Sequence, residues 1–213
     1  SAAVECVDDA TLEKYDDADY DVSTVAGRRA QKAQAKKIAE GCMKHSGRLL
    51  RHVGTESAAR DMDVMRSLVG DEKLNYFGFS YGTSLGGMYA DLFPKKVGRM
   101  VLDSAVDTGM RDSRRAYEQV LGFEHAFERY ARHCVNTATC PLGSTVDAAK
   151  KKMRALFDQA FKKPFPTADP KRPLNRNMLM YGVMIAMYNT AYRSYLDTGL
   201  SQLIKNNDGS FLL

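Results

Sequence analysis

The strongest constraint on the fold is a segment, residues 74–107, that reads as strand, sharp turn, helix, loop and second strand. At the turn, residues 78–82 read GFSYG, a G-x-S-x-G pattern with a serine between two glycines. A serine at a strand-to-helix corner needs a strained backbone, and Gly78 and Gly82, which lack a Cβ, let strand and helix cross closely. The pattern therefore predicts that Ser80 projects from a strained turn.

The sequence on both sides of this serine has the composition that such a turn requires. Residues 73–77 are rich in apolar and aromatic side chains, like a short strand, and residues 83–93 have apolar side chains at helical spacing. Gly86 and Gly87 each disfavour this helix by about 1 kcal/mol relative to alanine, so we expect close packing of the helix on a sheet. Residues 97–102 predict a second buried strand.

Residues 78–107 resemble the nucleophile region of secreted bacterial tripeptidyl aminopeptidases and their proline iminopeptidase relatives, in the α/β-hydrolase superfamily. The resemblance extends from Cys6 to about Gly143. Its most specific matches are residues 55–70, 80–83, 93–94, 101–103 and 140–143. The resemblance implies an α/β fold in which Ser80 stands at the nucleophile elbow.

The chain divides in character after Asp107. We expect residues 1–109 to form a partial α/β-hydrolase core, with the elbow and its adjacent strands and helices. Residues 110–213 show no strand alternation and predict a mainly helical, truncated cap. The predicted helices lie at residues 10–15, 24–44, 58–69, 111–133, 147–161, 177–188 and 192–205, with Gly47 as a possible break and Thr55 or Ser57 as a possible N-cap.

The length of 213 residues is short for this superfamily, and only two parallel-type strands are legible. Two interpretations follow: an internal fragment of a longer serine hydrolase, which we favour, or a degenerate homologue that only binds. In the first, missing segments of the same parent chain are its partners. No stretch approaches the ~20 apolar residues of a membrane span, so no membrane partner is expected.

The candidate chemistry centres on Ser80 as nucleophile and on the backbone N–H of Tyr81 as an oxyanion-hole donor. A serine needs a histidine base held by an acid, and in this superfamily both follow the serine in the chain. The two histidines after Ser80, His125 and His133, lie in the first predicted cap helix. We therefore expect the acid and the base outside this chain, together with a glycine-rich loop that supplies a second oxyanion donor.

By resemblance, the parent protein is an aminopeptidase that releases tripeptides from free N-termini through an acyl-enzyme on Ser80, while this chain alone is inactive. Glu118, Glu124 and Glu128 are candidates for binding the substrate ammonium, although solvated helix charges are the simpler explanation. An esterase or lipase of the same fold and a catalytically silent binding or packing module are the alternatives. No cofactor and no metal are expected.

The net charge of +5 is modest, and its basic run, residues 28–51, lacks interleaved aromatic residues. A solvated helix face explains this run better than a nucleic-acid partner does.

The four cysteines, Cys6, Cys42, Cys134 and Cys140, lack C-x-x-C spacing and so do not suggest zinc. Three pairings are possible. We favour Cys134 with Cys140 around a turn-like segment, and then Cys6 with Cys42. Two disulfide bonds would indicate a secreted protein, whereas four reduced buried thiols are the alternative.

Overall fold

The computed structural model describes residues 3–213. These residues form two compact units. The first contains the described residues up to Asp8 and Lys32–Arg115, and the second contains Asp9–Gln31 and Ala116–Leu213. The division into residues 1–109 and 110–213 stays a prediction, and the structure adds that residues 9–31 group with the C-terminal helices.

Helices and two strands account for most of the described chain. In chain order they are α1 (Asp9–Asp16), α2 (Val25–Leu50), α3 (Thr55–Leu68), β1 (Leu74–Phe79), α4 (Tyr81–Leu92), β2 (Val97–Asp103), α5 (Asp112–Cys134), α6 (Val146–Lys162), α7 (Arg176–Met187) and α8 (Arg193–Asn206). Short 3₁₀ turns lie at Pro94–Lys96, Thr190–Tyr192 and Ser210–Leu212. The α/β fold class is confirmed, with a small parallel sheet and a helical second half.

The sheet of the first unit consists of β1 and β2, which pair in parallel. Phe77 lies beside Val101 and Phe79 beside Asp103, with an irregularity in register between Leu74 and Tyr76. A parallel pair needs a crossover, and α4 supplies it. The order β1, α4, β2 is therefore the predicted strand–turn–helix–strand succession.

One face of this sheet packs on helices. Ala59 and Met62 of α3 and Tyr89 of α4 form the buried centre, and Tyr76 and Met100 pack against them from the strands. Because side chains alternate along a strand, the other face carries Phe77, Phe79 and Val101, which are 59%, 55% and 55% exposed.

The two glycines inside α4 differ in their surroundings. A Cβ on Gly86 would lie 2.7 Å from both Leu102 Cδ2 and Tyr76 Cε1, so the helix approaches the sheet at this point as expected. A Cβ on Gly87 would meet nothing within 4 Å. The expectation of close packing is therefore right for Gly86 and wrong for Gly87, which faces away from the sheet.

The N-terminal segment of the first unit is fastened to α2. Cys6 and Cys42 form a disulfide bond, and the Ser46 hydroxyl bonds the backbone of Glu5 at 2.8 and 3.0 Å. The helix is irregular at Ser46, with φ −130° and ψ 16°, rather than at the predicted Gly47. The predicted side-chain cap of α3 is also wrong, because Gly54 is the N-cap residue and has no side chain to offer.

The second unit is a helical cluster with its own core, to which α5, α6, α7 and α8 contribute. Tyr130 of α5 donates a 2.6 Å hydrogen bond to Asp197 of α8, and burial raises the pKa of Tyr130. Cys134 and Cys140 form the second disulfide bond, so both favoured pairings are confirmed.

The acidic segment near the N-terminus belongs to this unit because it pairs with basic residues of the C-terminal half. Arg172 forms ion pairs with Asp17 at 2.9 Å and Glu13 at 3.4 Å, and Arg176 pairs with Asp19 at 2.6 Å. These long-range ion pairs join residues that the sequence separates by more than 150 positions.

Candidate active site

Ser80 stands at the junction between β1 and α4. Its backbone has φ 50° and ψ −119°, an unusual conformation for a residue with a Cβ, and its side chain is exposed. Such a conformation costs about 1–3 kcal/mol and persists only where the surrounding structure enforces it. The strained strand-to-helix turn expected from the G-x-S-x-G pattern is therefore present, with an accessible hydroxyl.

The buried Thr83 side chain stabilises the turn through hydrogen bonds. Its hydroxyl donates a 2.6 Å hydrogen bond to the Ser80 carbonyl oxygen and accepts a 2.9 Å bond from the Val106 N–H. The Ser80 N–H in turn donates to the Asp103 carbonyl at 3.2 Å, which extends the β1–β2 pairing by one residue. Thr83 is only 4% exposed, so these bonds form away from competing water.

Sequence reasoning missed this role of Thr83. The signal was available in its position three residues after the serine, where a side-chain oxygen can return to the start of the helix. Its bond to the segment after β2 depends on the tertiary fold and has no local signature.

The two elbow glycines permit the close crossing. A Cβ on Gly78 would lie 2.6 Å from the Gly82 carbonyl oxygen and 2.5 Å from Tyr76 Cε1. A Cβ on Gly82 would lie 3.2 Å from the Tyr76 hydroxyl, which donates a 2.8 Å hydrogen bond to the Gly82 carbonyl. A larger residue at Gly78 would force β1 and α4 apart and move Ser80.

Tyr81 is the first residue of α4. The first N–H groups of a helix have no partner within it, and the helix dipole favours negative charge at this end. The Tyr81 hydroxyl lies 2.6 Å from the Thr55 hydroxyl at the start of α3, which restrains the side chain. The backbone N–H of Tyr81 is thus held beside Ser80, where an oxyanion formed on an attacked carbonyl would need a donor.

A buried polar cluster fastens α3 to α4 behind the sheet. Tyr89, which is fully buried, donates a 3.0 Å hydrogen bond to Asp63, and Arg66 Nε donates a 2.8 Å bond to the same oxygen. Arg66 is 8% exposed and also donates to the Asp71 carbonyl. The hydrogen bond from Arg66 lowers the pKa of Asp63, whereas burial raises the pKa of Tyr89.

This cluster was also missed, because a helical aspartate such as Asp63 is usually a surface residue. Asp63 and Arg66 are three apart on one helix, which is a legible pair, but the third member, Tyr89, comes from another helix.

The surroundings of the four histidines bear on whether one of them could act as a base for Ser80. His45, His52, His125 and His133 are exposed, and within residues 3–213 none of them has a carboxylate partner. A base for Ser80 needs such an orienting partner. The expectation that the acid and the base lie outside this chain stays a prediction.

The three candidate glutamates belong to α5 in the second unit. Glu128 accepts bonds from Lys150 at 3.0 Å and Arg132 at 2.5 Å, and the Lys150 bond is the first cause of its lowered pKa. Glu118 is half-buried and has an interaction within the chain. Glu124 is exposed and lines an apolar groove. Of the three, Glu128 is already neutralised by two cations.

The described residues contain neither a cluster suited to a metal ion nor a membrane-spanning helix. Across residues 3–213, no group of three or more His, Cys, Asp or Glu side chains is arranged to hold a metal ion. Over the same residues, no helix is both long and apolar enough to cross a bilayer.

Comparisons with known proteins agree with this geometry. Residues 29–202 match the family described as "alpha/beta hydrolase fold". The chain is 35% identical to Serine protease Hip1 of Mycobacterium tuberculosis over 187 residues, which is 84% of this chain and 36% of that protein. It is 39% identical to Tripeptidyl aminopeptidase of Streptomyces lividans over 168 residues, 77% of this chain and 31% of that protein.

A third relative is named for a different activity. Carboxylesterase B of Mycobacterium tuberculosis is 35% identical over 215 residues, 99% of this chain and 41% of that protein. The chain thus spans roughly a third to two fifths of the length of these relatives. The resemblance to tripeptidyl aminopeptidases is confirmed, and the chain belongs to the α/β-hydrolase family.

Proposed function

We propose that the protein to which this chain belongs is a serine hydrolase of peptidase type, with Ser80 as its nucleophile. The observation that carries the proposal is the strained, exposed Ser80 between β1 and α4, next to the N-terminus of α4. A serine in an ordinary turn would adopt a relaxed backbone conformation, so this strain points to a role for Ser80 beyond forming the turn. The relatives named serine protease and tripeptidyl aminopeptidase support a peptide substrate.

In the proposed reaction, the Ser80 oxygen attacks the scissile carbonyl carbon while its proton passes to a base. The oxyanion of the tetrahedral intermediate accepts a hydrogen bond from the Tyr81 N–H. The intermediate collapses to an acyl-enzyme and releases the amine product, which takes the proton. Water then cleaves the ester, returns the proton to Ser80 and releases the acyl group as a carboxylate.

The finer proposal is exopeptidase action that releases tripeptides from free N-termini. A buried ammonium needs a carboxylate, and Glu118, Glu124 and Glu128 are the candidates on α5. Glu128 is the weakest of them in one respect, because its carboxylate accepts bonds from both Lys150 and Arg132. We further propose that the acid, the base and the second oxyanion donor come from other segments of the parent chain. The partial coverage of the relatives supports this view.

A fluorophosphonate probe tests the nucleophile. The parent protein should be labelled at Ser80, and Ser80→Ala should abolish labelling while the protein stays folded. The 213-residue chain alone should label poorly. A folded, unlabelled parent protein would favour the silent binding module, and rapid turnover by the chain alone would contradict an external base.

Substrate class is tested with matched leaving groups. A tripeptidyl p-nitroanilide should be cleaved, and its N-acetylated form should not. The relative named Carboxylesterase B makes an esterase the second candidate. Preference for p-nitrophenyl butyrate over the p-nitrophenyl ester of the same tripeptide, which has the same leaving group, by more than about a hundredfold in kcat/KM, a difference of roughly 2.7 kcal/mol, would select the esterase.

The proposed location is outside the reducing cytosol. Two disulfide bonds, Cys6–Cys42 and Cys134–Cys140, support it because such bonds persist in oxidising compartments. Recovery of the protein from culture medium with no free thiols would agree with this location, and recovery with four free thiols from the cytosol would not.

A further inference from the structure

The second unit contains an apolar groove between α5, α6 and α7. Each helix contributes four lining residues at positions i, i+3, i+4 and i+7, beginning at Val120, Lys150 and Met180 respectively. This spacing places the four residues of each helix on one face. We refer to this surface as the α5–α7 groove.

The floor of the groove is closed and apolar. Phe127, Met153 and Val183, one from each helix, are only 9%, 3% and 6% exposed. Four of the lining residues are methionines, whose flexible thioethers adapt to different apolar shapes. The groove has a volume of about 210 Å³. Because pockets for drug-sized ligands have volumes of about 300–1,000 Å³, this smaller groove suits a slender ligand such as a single aliphatic chain.

The rim carries three charged residues, Glu124, Lys150 and Arg154. Lys150 already pairs with Glu128 at 3.0 Å. Among residues 3–213, no acidic side chain lies within ion-pair distance of Arg154. The Arg154 guanidinium is therefore available to an anionic group at the edge of the apolar floor, and its planar fork suits a carboxylate.

We propose that the α5–α7 groove binds an aliphatic carboxylate, with the chain over the floor and the carboxylate on Arg154. Glu124 lies on another helix of the groove, α5, and its negative charge disfavours the anion and limits the affinity. The proposed contacts with the chain and the carboxylate do not involve Ser80. Glu124 is the one groove residue that is also a candidate for the substrate ammonium, and it makes no favourable contact with the carboxylate.

The test uses octanoate and protein labelled with ¹³C at the methionine methyl groups. Of the 11 methionines, the methyl resonances of Met153, Met180, Met184 and Met187 should shift along one saturable curve. Those of Met62 and Met65, which belong to the first unit, should not move. The dispersed methyl spectrum reports at the same time that each variant is folded.

Matched variants test whether Arg154 binds the carboxylate of octanoate. Arg154→Gln should weaken octanoate binding about tenfold, which is the loss of one charge-assisted contact. Lys151→Gln changes the net charge equally on an exposed neighbouring position outside the groove and should leave the affinity unchanged. Glu124→Gln should tighten binding.

Several results would overturn the proposal. They are equal binding of octyltrimethylammonium, unchanged affinity in Arg154→Gln, or shifts spread evenly over all methionine methyl groups. Binding of an amphipathic peptide helix at these methionines, with no saturable binding of octanoate, would instead assign the groove to a protein partner. Loss of Ser80 reactivity would leave the octanoate result unaffected, so the two proposals fail separately.

Discussion

The Thr83 hydroxyl donates a 2.6 Å hydrogen bond to the carbonyl oxygen of Ser80. This bond joins the strained residue to a buried side chain in the first turn of α4. The same hydroxyl accepts a hydrogen bond from the Val106 N–H at 2.9 Å. The backbone conformation of Ser80 is thus enforced by the helix that follows it and by the segment that leaves β2.

Thr83→Val should loosen this turn. The substitution keeps the shape but removes the hydroxyl, so the half-buried Val106 N–H loses its partner and the Ser80 carbonyl keeps only the Thr83 N–H. We expect a loss of about 0.5–1.5 kcal/mol in the free energy of unfolding. We expect fluorophosphonate labelling of Ser80 in the parent protein to slow about tenfold. Thr83→Ser, which retains the hydroxyl, is the control. Equal labelling and stability in the valine variant would show that the turn does not depend on this bond.

Gly86→Ala and Gly87→Ala form a matched pair within α4. The Cβ of the first would lie 2.7 Å from Leu102 and Tyr76 atoms, and overpacking should cost about 1–3 kcal/mol. The second places its Cβ in open space and should stabilise the helix by about 1 kcal/mol through helix propensity. Urea unfolding midpoints measure both. Equal shifts of the same sign would contradict the close packing of α4 on the sheet.

Asp63 should make the first unit sensitive to acid. Its pKa is lowered below the ordinary value of 3.8, first by the hydrogen bond from Arg66, so its ionised form is favoured in the folded state. The resulting stabilisation is present above the unfolded-state pKa and is lost as the pH falls through the lowered folded-state pKa.

The measurement is the urea midpoint between about pH 6 and pH 3. Asp63→Asn should be less stable than the wild type near neutral pH and should lose less on acidification. Asp61→Asn, at an exposed position on the same helix, should keep the wild-type slope. Parallel slopes in all three proteins would exclude Asp63 as the titrating group.

The two disulfide bonds should differ in their contribution to the free energy of unfolding. Cys6–Cys42 spans 36 residues and Cys134–Cys140 spans 6. From loop-closure entropy, replacing both cysteines by alanine should cost about 4 kcal/mol for the first bond and about 2 kcal/mol for the second. Free energies of unfolding from urea titrations compare the variants. A larger loss from the shorter loop would mean that side-chain packing at Cys134, which is fully buried, outweighs chain entropy.

The local structure was largely predictable from the sequence. The G-x-S-x-G spacing predicted the turn at Ser80, and helical periodicity placed α4 through α8 within about two residues of their observed ends. Both features depend on neighbours a few positions apart. The disulfide between Cys134 and Cys140 was predictable for the same reason, since a six-residue separation closes across a turn.

The tertiary structure decided the rest. It brought Tyr89 to Asp63 and Arg66, Val106 to Thr83, and residues 9–31 to the C-terminal helices. It also distinguished Gly86, which touches the sheet, from Gly87, which does not. The sequence by itself determined which residues form the turn and which form helices, because those preferences are local. Only the packed fold determined which polar groups meet, because those contacts join residues distant in the chain whose proximity depends on all the elements between them.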